Sequence, residues 1–189
     1  GGELSVSGTT MVTIKEPPAE KASLRVASPA TSVSLPSTAV DATSAATVLQ
    51  LKITDNDSNN DGLVDASGSD GNPTQLNALT LQLGALQPSL ASLLNFSLTN
   101  GSGGTLASPV PGQVSADGKS LTFIFSGTPL SVANNNTATF KVNAWYGSAG
   151  LSDNTAITDL SLSSALSSVS MPASGSSAIS FITAASTRI

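Results

Sequence analysis

Apolar residues recur at every second position in a series of short runs, and this period of two constrains the fold more than any other feature of the chain. The clearest runs are Val48 to Thr54 (VLQLKIT), Leu76 to Leu83 (LNALTLQL), Ser120 to Ser126 (SLTFIFS) and Thr137 to Trp145 (TATFKVNAW). Successive side chains of a strand point to opposite faces, so each run presents one apolar face and one face of Thr, Gln, Lys or Asn. The spacing predicts strands over 23–27, 31–35, 46–54, 75–83, 94–99, 120–126, 137–146, 159–162 and 178–183. Turn chemistry separates them: Gly101 to Gly104, Pro109 to Gly112, Gly127 to Pro129 and Asn134 to Asn136. Asp117-Gly118 between two such runs is a hairpin signal. Segments 88–94 and 161–170 could each hold a helical turn. The expected fold is an all-β, immunoglobulin-like β-sandwich, with a jelly-roll-like sandwich as second choice, preceded by an N-terminal extension strand.

A core for such a sandwich must be aliphatic. Hydrophobic residues make up 39% of the 189 residues, yet aromatics only 4%. Charged residues are 10%, against about 25% in ordinary domains. Ser, Thr, Asn and Gly must therefore cover the surface, which suits an extracellular or cell-surface protein. Seven scattered cations and a net charge of −5 provide no basic stripe, so no nucleic-acid partner is expected. No long apolar run suggests membrane insertion in this segment. The start of the chain lacks the pattern of a signal peptide, so an exported protein would be numbered here after processing or as a fragment.

The chain divides in two by composition. Glu3, Glu16 and Glu20 all precede residue 21, and the remainder uses Asp as its acid. Within residues 1–21, Leu4, Val6, Met11, Val12 and Ile14 alternate with Ser and Thr as in a strand, and Pro17-Pro18 stiffens a polar linker. Residues 22–189 are expected to form the sandwich. The layout is similar to that of donor-strand pilins and related surface filaments. That resemblance implies a homopolymer built head to tail, with Leu4, Val6, Val12 and Ile14 as anchoring side chains of a strand added to a neighbour's sheet.

Catalytic groups are scarce. Histidine and cysteine are absent, which removes the commonest general base, the thiol nucleophile and the usual ligands of zinc, copper and haem. Neither G-x-S-x-G nor S-x-x-K occurs. Asp153 and Asp159 read as turn residues rather than a glycosidase pair. No enzymatic activity is expected. Trp145 and Tyr146 could form a sugar-stacking platform, which keeps a carbohydrate-binding module among the alternatives. Asn95-Phe96-Ser97, Asn100-Gly101-Ser102 and Asn135-Asn136-Thr137 fit the N-glycosylation pattern, as such triplets readily do in a Ser/Thr/Asn-rich chain.

One segment carries chemistry. Between Thr54 and Gln75 five aspartates crowd a single loop, and Asp57-x-Asn59-x-Asp61-Gly62-x-x-Asp65 has the spacing of a calcium loop. Hard cations take six to eight oxygens from alternate residues of a tight turn, with glycine at the sixth position. Leu63 would offer its carbonyl, and Asp55 or Asp70 would complete the shell, because the twelfth position is Gly68 and not a closing Glu. A weak calcium affinity follows, about 10⁻⁴–10⁻³ M. The nine-residue core resembles the calcium loops of dockerins and thrombospondin type-3 repeats. The other reading of the same residues is a solvated Asn/Asp/Gly loop. A loop this long without secondary structure is uncommon in a compact domain, which favours a bound ion.

The expected function is a structural subunit of an extracellular filament or pilus, assembled by strand donation and rigidified by calcium. A calcium-stabilised module of a cell-surface adhesin is the alternative from the same class. On the calcium reading, Asp57→Ala with Asp61→Ala lowers the melting temperature in calcium and leaves it unchanged in chelator. Thermal unfolding in the two media checks this.

Overall fold

The computed structural model describes residues 21–27, 33, 35–84, 93–147, 161–170, 178–181 and 186–188. The donor-strand candidates Leu4, Val6, Val12 and Ile14, and the Asp153/Asp159 pair, lie outside them. The described residues form thirteen strands and no helix: β1 (Lys21–Val26), β2 (Ala46–Thr54), β3 (Thr74–Leu76), β4 (Ala78–Gly84), β5 (Leu94–Ser102), β6 (Gly104–Thr105), β7 (Val110–Val114), β8 (Ser120–Ile124), β9 (Leu130–Val132), β10 (Thr137–Tyr146), β11 (Ser161–Ser170), β12 (Ala178–Phe181) and β13 (Ser186–Arg188). The fold is all-β, as the period of two requires.

Ten strands hydrogen-bond in the order β12-β1-β2-β10-β5-β7-β8-β4-β11-β13, and β3-β9-β6 form a small separate sheet. Every described pairing is antiparallel except β1 with β12. The long sheet curls at β7. Val110 and Pro111 pair with β5, whereas Gly112 to Val114 pair with β8. One short strand thus passes from one half of the sheet to the other, and the two halves close over a common core in a sandwich-like arrangement. At the far ends of the order, β11 approaches β1 and β12, so the curled sheet nearly meets itself along a seam.

The core is the inward face of the alternating runs. Ala138, Phe140, Val142 and Ala144 of β10 are buried, and so are Leu79, Leu81 and Leu83 of β4, Phe96 and Leu98 of β5, and Leu121 and Phe123 of β8. They belong to one apolar cluster with Leu24 of β1 and Leu49, Leu51 and Ile53 of β2. Leu, Val, Ile and Ala supply most of the core, as composition anticipated, but it is not purely aliphatic: Phe96, Phe123 and Phe140 are its largest buried side chains.

Several expectations need correction. Residues 161–170, offered as a possible helical turn, are strand β11. The 75–83 run is two strands, interrupted at Asn77. Val33 and Leu35, in the expected 31–35 strand, lie outside any strand. Pro109 to Gly112, read as a breaker, contains the corner strand β7. Proline lacks an N–H and glycine a side chain, so both weaken a strand pattern in the sequence, yet both suit a corner. The hairpin at Asp117-Gly118 forms as expected between β7 and β8, with Gly118 at φ 69°.

Gly112 is confined by the core. A Cβ there would lie 2.7 Å from Leu121 Cδ1 and 2.9 Å from both Phe123 Cε1 and Phe96 Cβ. Gly112→Ala therefore overpacks the corner and lowers stability by about 1–3 kcal/mol. Denaturant unfolding measures the shift, and an unchanged midpoint would mean that the halves do not close at this residue.

Candidate functional site

The aspartate-rich loop leaves the end of β2 and returns to β3, so its path begins and ends in buried strands. Its first three residues are drawn inside: Asp55, Asn56 and Asp57 are each no more than 1% exposed. A carboxylate removed from water must be compensated by donors or opposite charge, and the structure supplies both.

Asp55 ties three segments together. Its Oδ1 accepts from Thr74 Oγ1 at the start of β3 (2.6 Å), and its Oδ2 accepts from the backbone N–H of Asn135 (2.8 Å) in the turn between β9 and β10. The Asp55 N–H in turn donates to the Asn136 carbonyl (2.9 Å). Asn56 reinforces this junction: its Nδ2 donates to Asn135 Oδ1 (2.8 Å) and to the Asp65 carbonyl (3.2 Å).

Asp57 faces the other way, toward β1. Its Oδ2 accepts from Ser23 Oγ, from Arg25 Nη2 (3.2 Å) and from the Gly62 N–H (2.9 Å), while Oδ1 accepts from the Asp61 N–H (2.9 Å). The Asp57 N–H donates to the Lys21 carbonyl (2.8 Å). Arg25 Nη2 also donates to the Asn60 carbonyl (2.8 Å), and Lys52 Nζ on β2 donates to the Gly62 carbonyl (2.6 Å).

The remaining residues of the expected calcium set lie nearer the surface. Asn59, Asp61 and Leu63 are exposed, and Asp65 and Asp70 are half-buried. Their side chains close local turns: Asn59 Oδ1 accepts from the Asp61 N–H (3.0 Å), Asp61 Oδ1 from the Leu63 N–H (2.7 Å), Asp65 Oδ2 from the Ser58 N–H (2.8 Å) and Asp70 Oδ1 from the Asn72 N–H (2.7 Å). Asn56 and Asn60 adopt left-handed backbone, φ 56° and 61°, and Gly62 has φ 85°. Asparagine and glycine are the residues that tolerate this conformation.

The seven residues singled out from the sequence thus occupy one loop but divide into a buried inner pair, Asp55 and Asp57, and an outer rim. Among the described residues no group of three acidic side chains is placed to share a metal ion. Donors from the protein engage both oxygens of each carboxylate of the inner pair.

Sequence spacing missed the partners that organise this site: Ser23, Arg25, Lys52, Thr74 and Asn135. A faint signal exists for two of them, since Arg25 and Lys52 are cations within short alternating strands of a chain that has seven Lys and Arg in all. Tyr146, one of the two residues of the sugar-platform alternative, is half-buried; its ring packs against the core and its hydroxyl donates to the Leu35 carbonyl (3.1 Å).

Thr74→Val keeps the shape of a fully buried side chain and removes one donor from Asp55. It lowers stability by about 1–3 kcal/mol, measured by denaturant unfolding. A neutral result would mean that the contact between β3 and Asp55 contributes nothing to the junction.

No protein-family profile matches the chain, and no curated protein matches it. A solved structure described as "AvmM Catalyzes Macrocyclization in Alchivemycin A Biosynthesis" aligns over 90% of this chain and 85% of that one, at 10% identity and a TM-score of 0.36, a likeness too slight to carry any inference about this protein.

Proposed function

We propose that this chain is a non-catalytic structural subunit of an extracellular filament, joined head to tail by adding its N-terminal strand to the sheet of a neighbouring copy. The observation that supports it is the seam of the curled sheet. Its terminal strands are short: β12 covers Lys21 to Leu24 of β1, and β13 covers Ser161 to Ser163 of the ten-residue β11. Beyond Ser163 the described pairings of β11 are with β4 alone, and they skip from Ser163 to Ser168. Backbone along a sheet edge is a template for another strand. In sequence, residues 1–20 lead into β1, and β1 and β11, near opposite ends of the strand order, approach each other at the seam, so donor and acceptor would lie on its two sides.

Calcium belongs to this proposal as an ion of the loop's outer rim. There Asn59, Asp61, Asp65 and the Leu63 carbonyl are the oxygens it would take. The low charge of the chain and its lack of His and Cys support a structural rather than a catalytic role.

Light scattering of the full chain in millimolar calcium, beside a version lacking residues 1–16, tests the proposal. Large assemblies from the full chain and monomers from the truncation are expected. Monomers from both would overturn strand-donated assembly and favour a module of a larger surface protein.

A further inference from the structure

The loop has a cation already. Arg25 and Lys52 are direct cross-strand partners in the β1–β2 ladder. Like charges set opposite each other on a sheet repel, so this pair needs a compensating partner. Both side chains reach the aspartate loop: Arg25 to Asp57 and the Asn60 carbonyl, Lys52 to the Gly62 carbonyl. Anionic and carbonyl oxygens of the loop are thus paired with two of the chain's seven cationic side chains.

Gly62 shows how closely the guanidinium fits. A Cβ at that position would stand 2.8 Å from Arg25 Cζ and 2.9 Å from Nη1. The glycine that the calcium spacing demands for its left-handed turn is also the residue that lets Arg25 lie against the loop backbone. Calcium binds oxygens at about 2.3–2.6 Å. At Asp57 it would compete with a guanidinium 3.2 Å from the same carboxylate and with the Ser23, Asp61 and Gly62 donors. A divalent ion there would also face the positive charge of Arg25 beside a carboxylate that is itself fully buried.

We infer that the Arg25 guanidinium, not a metal ion, is the cation that organises this loop, and that Asp57 is a structural anchor rather than a metal ligand. The loop closes on β1 without metal, and any calcium on the outer rim joins a loop that is already formed. The result is a clamp on β1 along its length. The Asp57 N–H holds the Lys21 carbonyl, the Lys21 N–H donates to Ser58 Oγ (3.3 Å), and Ser23 and Arg25 both end on the Asp57 carboxylate. β1 is the strand that residues 1–20 enter. If those residues are donated to a neighbour, which rests on the filament reading, tension along a filament passes from them into β1 and then to this clamp. The clamp itself does not rest on that reading.

Thermal unfolding of the full chain, of Arg25→Gln and of Asp57→Asn, each in millimolar calcium and in chelator, tests the inference. The parent folds in both media and loses little on chelation, no more than release of a weakly held rim ion accounts for, whereas each variant melts lower by about 5–15 °C in both. The calcium-loop reading instead confines the effect of losing Asp57 to the calcium medium. A parent that loses as much on chelation as the variants lose in calcium would overturn the clamp. Where a variant does not fold, amide hydrogen exchange on the parent decides. The Asp61 and Gly62 N–H groups end on Asp57, so their protection persists in chelator if Arg25 organises the loop and collapses if a metal does. Failure of the filament proposal appears in light scattering and leaves these readings unchanged.

Discussion

A carboxylate withdrawn from water must find its hydrogen bonds and its counter-charge inside the protein, and the arrangement around the 55–74 loop depends on two that have done so. Asp55 and Asp57 are both 0% exposed, and they follow directly on β2. The left-handed backbone of Asn56 between them, φ 56°, breaks the alternation of β2 and turns the two carboxylates to different neighbours. Asp55 is met by Thr74 and Asn135, which joins β2 to the small sheet and to the turn before β10. Asp57 is met by Ser23 and Arg25, which joins β2 to β1. The strand nearest the seam is therefore held both by its ladder and by a buried ionic contact at its flank.

Unlike a surface ion pair, this one sits where screening is weak. Exposed pairs contribute little because water and salt compete for both charges. Here the carboxylate is fully enclosed and its Arg25 partner is 19% exposed. Breaking such a pair leaves a buried charge uncompensated, which is more damaging than never having built the pair at all. The backbone donors of Asp61 and Gly62 add to the same carboxylate, so the shape of the loop and the position of β1 are coupled through one side chain.

The curl of the sheet gives the site its setting. β7 crosses between the halves at Pro111-Gly112, and Gly112 lets Phe96, Leu121 and Phe123 meet where any side chain would intrude. This closes the apolar core on one side and brings β11 toward β1 and β12 on the other. The corner and the seam are two consequences of bending one continuous sheet over a single apolar cluster.

Local pattern was enough to establish the strand content. The period-two runs at β2 and β10 match the structure residue for residue, from Ala46 to Thr54 and from Thr137 to Tyr146, because burial of one face is written into alternate positions. The short strands β6, β9 and β13 carry too few residues to show a period, and the Pro-Gly pair hides β7. The acidic loop was legible as a unit from its spacing, and so was its turn-forming Gly62; the left-handed Asn56 and Asn60 went unread, because in an Asn-rich loop nothing local marks which asparagine takes the turn. What the sequence could not reveal was where each carboxylate points. Asp57 lies 32 residues from Arg25, and Asp55 lies 80 from Asn135. Charge compensation acts through space, so the cation facing a carboxylate is decided by which strands the sheet sets side by side.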